Sequence, residues 1–112
     1  MIARLMGLKT ISPKELNEAV NQKKVHVYDL NDQDVYNLGH VPGAIHLNHE
    51  TFDGSELPKD PKAALVFYCS NPMCRKAPNA VKLVKSKGFE NVRVLSAGIS
   101  GWMNKKLPIE TA

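Results

Sequence analysis

Residues 68–84 read YCSNPMCRKAPNAVKLV and hold the chain's two cysteines, Cys69 and Cys74, five residues apart, with Arg75 directly after the second. The reactive form of a cysteine is its thiolate, so the question is what surrounds each sulfur. Cys69 closes the apolar run AALVFY and shortly precedes a segment of helical periodicity, which puts its thiol between a strand end and a helix N-terminus. There the unsatisfied backbone N–H groups and the positive end of the helix dipole stabilise negative charge. Arg75 adds a permanent cation with a planar fork suited to oxyanions. This setting predicts a lowered pKa for Cys69 and a nucleophilic role; the plainer reading is a small buried residue continuing the strand. For Cys74 two readings stay open. It is either a resolving thiol that attacks an oxidised Cys69, or a small residue packed under the helix start.

The elements that must position these residues alternate in type along the chain. LKTIS is a short apolar entry. In SPKELNEAVNQKK, Ser12 caps, Pro13 suits the first helical position and Glu15 completes a capping box. Leu16, Ala19 and Val20 then form the apolar face of a short amphipathic helix. VHVYDL, GAIHLN, AALVFY and NVRVLS read as strands, the third apolar throughout, as a strand covered on both faces should be. DQDVYNLG predicts a helical turn ending at Gly39 in a left-handed conformation. HETFDGSELPKDPK is turn-rich and reads as a surface connection with about one helical turn. KAPNAVKLVKSKG places Ala77, Ala80, Val81 and Val84 on one face, tolerates Pro78 in its first turn and stops at Lys85, Lys87 and Gly88. A glycine turn, a short helix and a tail close the chain. Strands alternating with helices imply a single α/β domain over residues 1–112, with a small, mostly parallel sheet of five strands and helices on both faces. In such a sheet chemistry belongs at the carboxyl ends of the strands, where Asp29, Cys69 and the SAGISG turn all fall.

Composition narrows the classes. One domain of 112 residues, 43% hydrophobic and 23% charged, is ordinary for a globular protein. The net charge of +4 is spread along the chain, which points to a solvated surface that steers small anions and away from nucleic acid. No apolar stretch has signal-peptide or membrane-spanning length, so no membrane association is expected. Two cysteines without a second ligand pair make neither a disulfide framework nor a zinc site; reduced thiols in a cytoplasm, with no metal and no cofactor, are the expectation.

Three stretches, VYDLNDQDVYNLGHVPGAIHL, LVFYCSNPMCRKA and VLSAGISGWMNKKLPIE, together resemble the single-domain rhodaneses over nearly the whole chain. The GHVPGA element and the Gly-x-x-Gly-Trp element at their relative spacing make the match specific. The resemblance implies a rhodanese-like fold. It also implies a sulfurtransferase in which Cys69 takes sulfane sulfur from an anionic donor such as thiosulfate, holds it as a persulfide and passes it to cyanide, another thiol or a sulfur-relay protein. On the same footing, N–H groups from Ser70 through Asn71, Met73 and Cys74 to Arg75 would cradle the terminal sulfur, with Arg75 or nearby lysines holding the donor's anionic part.

The chain departs from that pattern in two ways. Cys69 to Arg75 is Cys-x5-Arg, one residue longer than the usual sulfurtransferase loop. That length resembles the related cell-cycle dual-specificity phosphatases and arsenate reductases, which wrap a tetrahedral oxyanion. Against a phosphatase, Pro72 lacks an N–H and the loop offers no acid for a leaving group. A non-catalytic regulatory or binding module is the further alternative. The second departure is Cys74 itself. Asp29, at the carboxyl end of a strand, is expected to tether the neighbouring loop or orient the site; where the family often has Asp-x-Arg, this chain has Asp29-Leu30-Asn31, so that arginine's ion pair is absent. His40 in GHVPGA reads as a ring fixing its turn, while His26, His46 and His49 lack metal-ligand spacing. Trp102 reads as core, with Gly98 and Gly101 curving the backbone near the site.

Overall fold

The computed structural model describes residues 2–112. Helix α1 (Ile2–Leu5) and α2 (Pro13–Asn21) precede strand β1 (His26–Asp29). Then come α3 (Gln33–Leu38), β2 (Ile45–His46), β3 (Leu65–Tyr68), α4 (Lys76–Ser86), β4 (Val92–Val94) and α5 (Gly98–Asn104). Among the described residues the sheet has four strands in the order β2-β1-β3-β4, every pairing parallel. The expected fifth strand is reduced to one parallel bridge between Thr10 and Val94. Its two hydrogen bonds run from Val94 N–H to the Lys9 carbonyl (2.9 Å) and from Ile11 N–H to the Val94 carbonyl (3.0 Å). The chain turns at Gly7, whose φ is +73°, and starts α2 at Pro13, so little length is left for a ladder.

Alternation along β3 divides the core. Leu65, Phe67 and Cys69 face a cluster with Ala3 of α1 and Ala77, Ala80, Val81 and Val84 of α4. Val66 and Tyr68 face a second cluster with Leu16 of α2 and Ile99 and Trp102 of α5. A strand whose successive side chains point to opposite faces is apolar throughout only when both faces are covered, and all four residues of β3 are buried. The starts of α2 and α4 follow from their residues. Ser12 Oγ accepts the Glu15 N–H and Glu15 Oε1 accepts the Ser12 N–H, both at 3.1 Å, so the capping box forms as read. These bonds also hold the Glu15 carboxyl below its usual range. In α4, Pro78 stands in the first turn, where its missing N–H leaves no gap.

Gly39 differs from its expected left-handed conformation: its φ is 171°, ordinary extended backbone. Glycine is required there for space, because a Cβ would stand 2.7 Å from Met103 Cε and 3.0 Å from Ile109 Cδ1. Residues 49–61 hold no helix, only turns, of which one spans the bond from Phe52 N–H to the Asn48 carbonyl at 2.9 Å. Phe52 and Leu57 from this stretch pack on the α4 side of the core.

Candidate active site

Since all strands are parallel, the carboxyl ends of β1, β3 and β4 share one edge of the sheet, and Asp29, Cys69 and the Ser96–Gly98 turn meet there. The loop from Cys69 to Arg75 is held on two sides. The first N–H groups of α5 donate into it, Ile99 to the Cys69 carbonyl (2.9 Å) and Ser100 to the Ser70 carbonyl (3.0 Å). On the other side, Ile2 N–H of α1 donates to the Pro72 carbonyl (3.2 Å). Gly98 makes the α5 contact possible. Its φ is +66°, and a Cβ on it would lie 2.5 Å from the Ser70 carbonyl carbon and 2.6 Å from Asn71 N.

Within the loop, Cys69 and Cys74 are joined by a disulfide, their Cα atoms 6.4 Å apart. The thiols expected to be free are therefore paired here, because the loop curls enough to bring the two backbones into bridging range. Cys69 is 3% exposed and belongs to the α4-side core, whereas Cys74 is half-buried and only borders that core. Asn71 shapes the curl: its side-chain oxygen accepts the Met73 N–H (2.9 Å) and its carbonyl accepts the Cys74 N–H (3.1 Å). Those two donors are thus occupied and Pro72 has none. Of the expected cradle, the N–H groups of Ser70, Asn71 and Arg75 have no acceptor among the described residues. Met73 is exposed at the loop tip.

Arg75 is the residue before α4, and its side chain is exposed. It lines a cleft of about 350 Å³ together with His49, Phe52, Lys76 and Asn79. Lys76 Nζ pairs with Asp32 at 3.2 Å, so Arg75 is the unpaired cation of the cleft among the described residues. Phe52 and Asn79 escaped the sequence reading, which named His49 only as a histidine without metal-ligand spacing. The usable signal was Phe52, an aromatic in an otherwise polar, turn-rich stretch.

Asp29 is fully buried, and its Oδ1 accepts the Asn31 N–H at 2.7 Å. Its Oδ2 accepts the Tyr68 hydroxyl at 2.5 Å, and that hydroxyl in turn accepts the Val41 N–H at 3.1 Å. The carboxylate thus ties β1, β3 and the segment at Val41 together on the residue next to Cys69. Burial pushes the Asp29 carboxyl above its usual range, the hydrogen bonds from Tyr68 and Asn31 and the nearby His46 and His40 offsetting only part of this. A raised folded-state pKa means the native state binds the proton more tightly than the unfolded chain. The contribution of this group is therefore fully present below about pH 3.8, the unfolded value, and is lost as pH rises through the higher folded value. Urea unfolding from acid towards neutral pH should show Asp29→Asn gaining on the wild type as pH rises. A difference independent of pH, or of the opposite slope, contradicts this account.

The remaining candidates lie outside the loop. His40 Nδ1 is 2.8 Å from the Tyr36 carbonyl and its ring stacks on Tyr36 with centroids 3.7 Å apart. His46 Nε2 is 2.7 Å from the Asn31 carbonyl, and His26 is exposed. Trp102 is fully buried and donates from Nε1 to the Pro108 carbonyl at 2.8 Å. Among the described residues no group of three or more His, Cys, Asp or Glu is placed to hold a metal ion.

The chain is similar to proteins of known family and structure. Residues 12–105 match the family described as the rhodanese-like domain. The thiosulfate sulfurtransferase GlpE of Haemophilus influenzae is 29% identical over 107 residues, covering 96% of this chain and 99% of that one. A helix-turn-helix-type transcriptional regulator, Rv0324 of Mycobacterium tuberculosis, is 32% identical over 89% of this chain, which spans 44% of the regulator. The crystal structure of the BH2092 protein from Bacillus halodurans superposes with a TM-score of 0.82 at 22% identity, covering 96% of this chain and 80% of that one.

Proposed function

This chain belongs to the rhodanese-like domain family, and from that premise we propose that it is a sulfurtransferase carrying sulfane sulfur as a persulfide on Cys69. The observation that carries the reading is the placement of Cys69 at the end of β3, opening a loop that ends at Arg75 and holds three unengaged N–H groups. The near end-to-end match to a thiosulfate sulfurtransferase supports it.

In the reduced protein, the Cys69 thiolate attacks the outer sulfur of thiosulfate. The donor's S–S bond breaks, sulfite leaves with the electron pair, and the new persulfide carries the charge. Arg75 is the free cation for the donor's sulfonate, and the N–H groups of Ser70, Asn71 and Arg75 stabilise the terminal sulfur. A thiol, cyanide or a sulfur-relay protein then takes that sulfur, with the Cys69 thiolate as leaving group. Cys74 offers a second exit: its thiol gives its proton to the terminal sulfur and its sulfur attacks Sγ of Cys69, hydrosulfide leaves with that proton, and the disulfide forms. The paired cysteines of the structure correspond to the product of that exit. A cytoplasmic site of action is part of the proposal, since a thiol pool there reopens such a bridge.

The phosphatase and arsenate reductase readings are weaker on this geometry. A tetrahedral oxyanion needs a nearly continuous ring of donors, and Pro72, Met73 and Cys74 supply none of the free ones. The regulatory alternative draws support from the match to a transcriptional regulator. Intact mass after incubating reduced protein with thiosulfate distinguishes the three. We expect a gain of about 32 Da, one sulfur on Cys69, with negligible hydrolysis of an aryl phosphate. Cys69-dependent phosphate release without a sulfur adduct would establish the phosphatase, and neither reaction the binding module.

A further inference from the structure

The two sulfurs of the bridge differ in surroundings in a way that fixes how it opens. Thiol–disulfide exchange is an in-line displacement, so its direction depends on which sulfur an incoming thiolate reaches and which leaves more readily. In the bridged loop Cys69 is 3% exposed and belongs to the core cluster of Phe67, Ala77 and Val81, so of the two sulfurs it is the less accessible to an incoming thiolate. Cys74 is half-buried, next to exposed Met73 and Arg75. Leaving ability points the same way. Sγ of Cys69 departs where the N–H groups of Ser70 and Asn71, the two residues that follow it, are unengaged and stabilise the departing charge.

We propose that the Cys69–Cys74 disulfide is an electron acceptor opened by an external carboxylate-bearing thiol that attacks Cys74 and expels Cys69 as thiolate. The first displacement breaks the Cys69–Cys74 bond and forms a mixed disulfide on Cys74. A second thiolate attacks the external sulfur of that mixed disulfide, releasing the external disulfide and the Cys74 thiolate. Two external thiols are oxidised and the loop is reduced by two electrons, so atoms and charge balance without another reactant. The preference for an anionic thiol comes from Arg75, the residue after Cys74, which is exposed and unpaired among the described residues. Once expelled, Cys69 stands as the thiolate that sulfur uptake requires. Opening the bridge does not depend on the sulfurtransferase reading, because no sulfane donor takes part.

The test uses wild-type protein in which the bridge has been formed by mild oxidation. It is mixed with glutathione, quenched within milliseconds to seconds by excess alkylating agent, and mapped by peptide mass. The expected trapped species carries glutathione on Cys74 and the alkyl group on Cys69, exceeding the reverse pattern at least about tenfold. At low ionic strength and matched thiolate concentration, glutathione should open the bridge about fivefold or more faster than cysteamine, whose ammonium is repelled by Arg75. Glutathione on Cys69, or an even split, overturns the direction of attack. Failure of the oxidised protein to form the bridge overturns the whole proposal, and equal rates for the two thiols overturn the assigned thiol class. The thiosulfate adduct of the reduced protein is read separately, so either idea can fail without the other.

Discussion

Cys69→Ser removes sulfur uptake, with the mass adduct gone and the rate of thiocyanate production from thiosulfate and cyanide down by at least about a thousandfold. A serine hydroxyl is not ionised at neutral pH, and the loop offers no adjacent base to activate it. The side chain keeps its position at the end of β3, so circular dichroism and unfolding midpoint should change little; the loss belongs to the chemistry. Cys74→Ser separates the two roles left open for the second cysteine. If Cys74 resolves the persulfide, the variant forms its adduct at nearly the wild-type rate and holds it longer without acceptor, since no neighbouring thiolate expels hydrosulfide. The wild type under the same conditions loses its adduct and gains the Cys69–Cys74 bridge, read as a mass about 2 Da below the dithiol. Sulfur that maps to Cys74 and persists in Cys69→Ser would show the nucleophile to be misassigned.

What the sequence disclosed about the fold was its strong, local information. AALVFY admits one reading in an alternating chain, and Leu65–Tyr68 is the buried central strand between β1 and β4. The capping box at Ser12 and the Ala77, Ala80, Val81, Val84 face of α4 likewise follow from residue types at fixed spacing. The weaker elements depend on partners distant in sequence. Helix α1 is four residues long, too short to stand by propensity, and is fixed by Ala3 in the core and by the bond from Ile2 to Pro72. Strand β2 pairs through two residues only, and the entry segment pairs through one. Of the site, the convergence of Asp29, Cys69 and the glycine turn at one edge follows from parallel topology alone. The state of the loop does not. Whether Cys69 reaches Cys74 depends on the Asn71 turn and on α1 and α5 pressing the loop from both sides, none of which is encoded in the Cys-x4-Cys spacing.

Gly98→Ala is expected to cost about a hundredfold in the rate of sulfur uptake while leaving Cys69 and Arg75 in place in the sequence. Two effects act at this one position. Alanine at φ +66° is strained by about 1–3 kcal/mol. Its Cβ would also stand 2.5 Å from the Ser70 carbonyl carbon, and ordinary contact begins near 3.4 Å, so backbone must retreat by about 1 Å. Neither obstacle is a flexible side chain, so the strain falls on the two bonds that hold the loop, Ile99 to the Cys69 carbonyl and Ser100 to the Ser70 carbonyl. Stretching them displaces Cys69 and turns the Ser70 and Asn71 N–H groups off the terminal sulfur. A misplacement of about 1 Å between reacting groups is worth roughly two orders of magnitude in rate. A purely structural defect would lower the unfolding midpoint and leave the folded fraction fully active. Displacement of the loop instead slows single-turnover persulfide formation in protein that is demonstrably folded, and raises the pH at which Cys69 reacts with an alkylating agent as its thiolate loses donors. Wild-type rates and an unshifted alkylation profile in folded Gly98→Ala would mean that the α5 contact does not position the nucleophile.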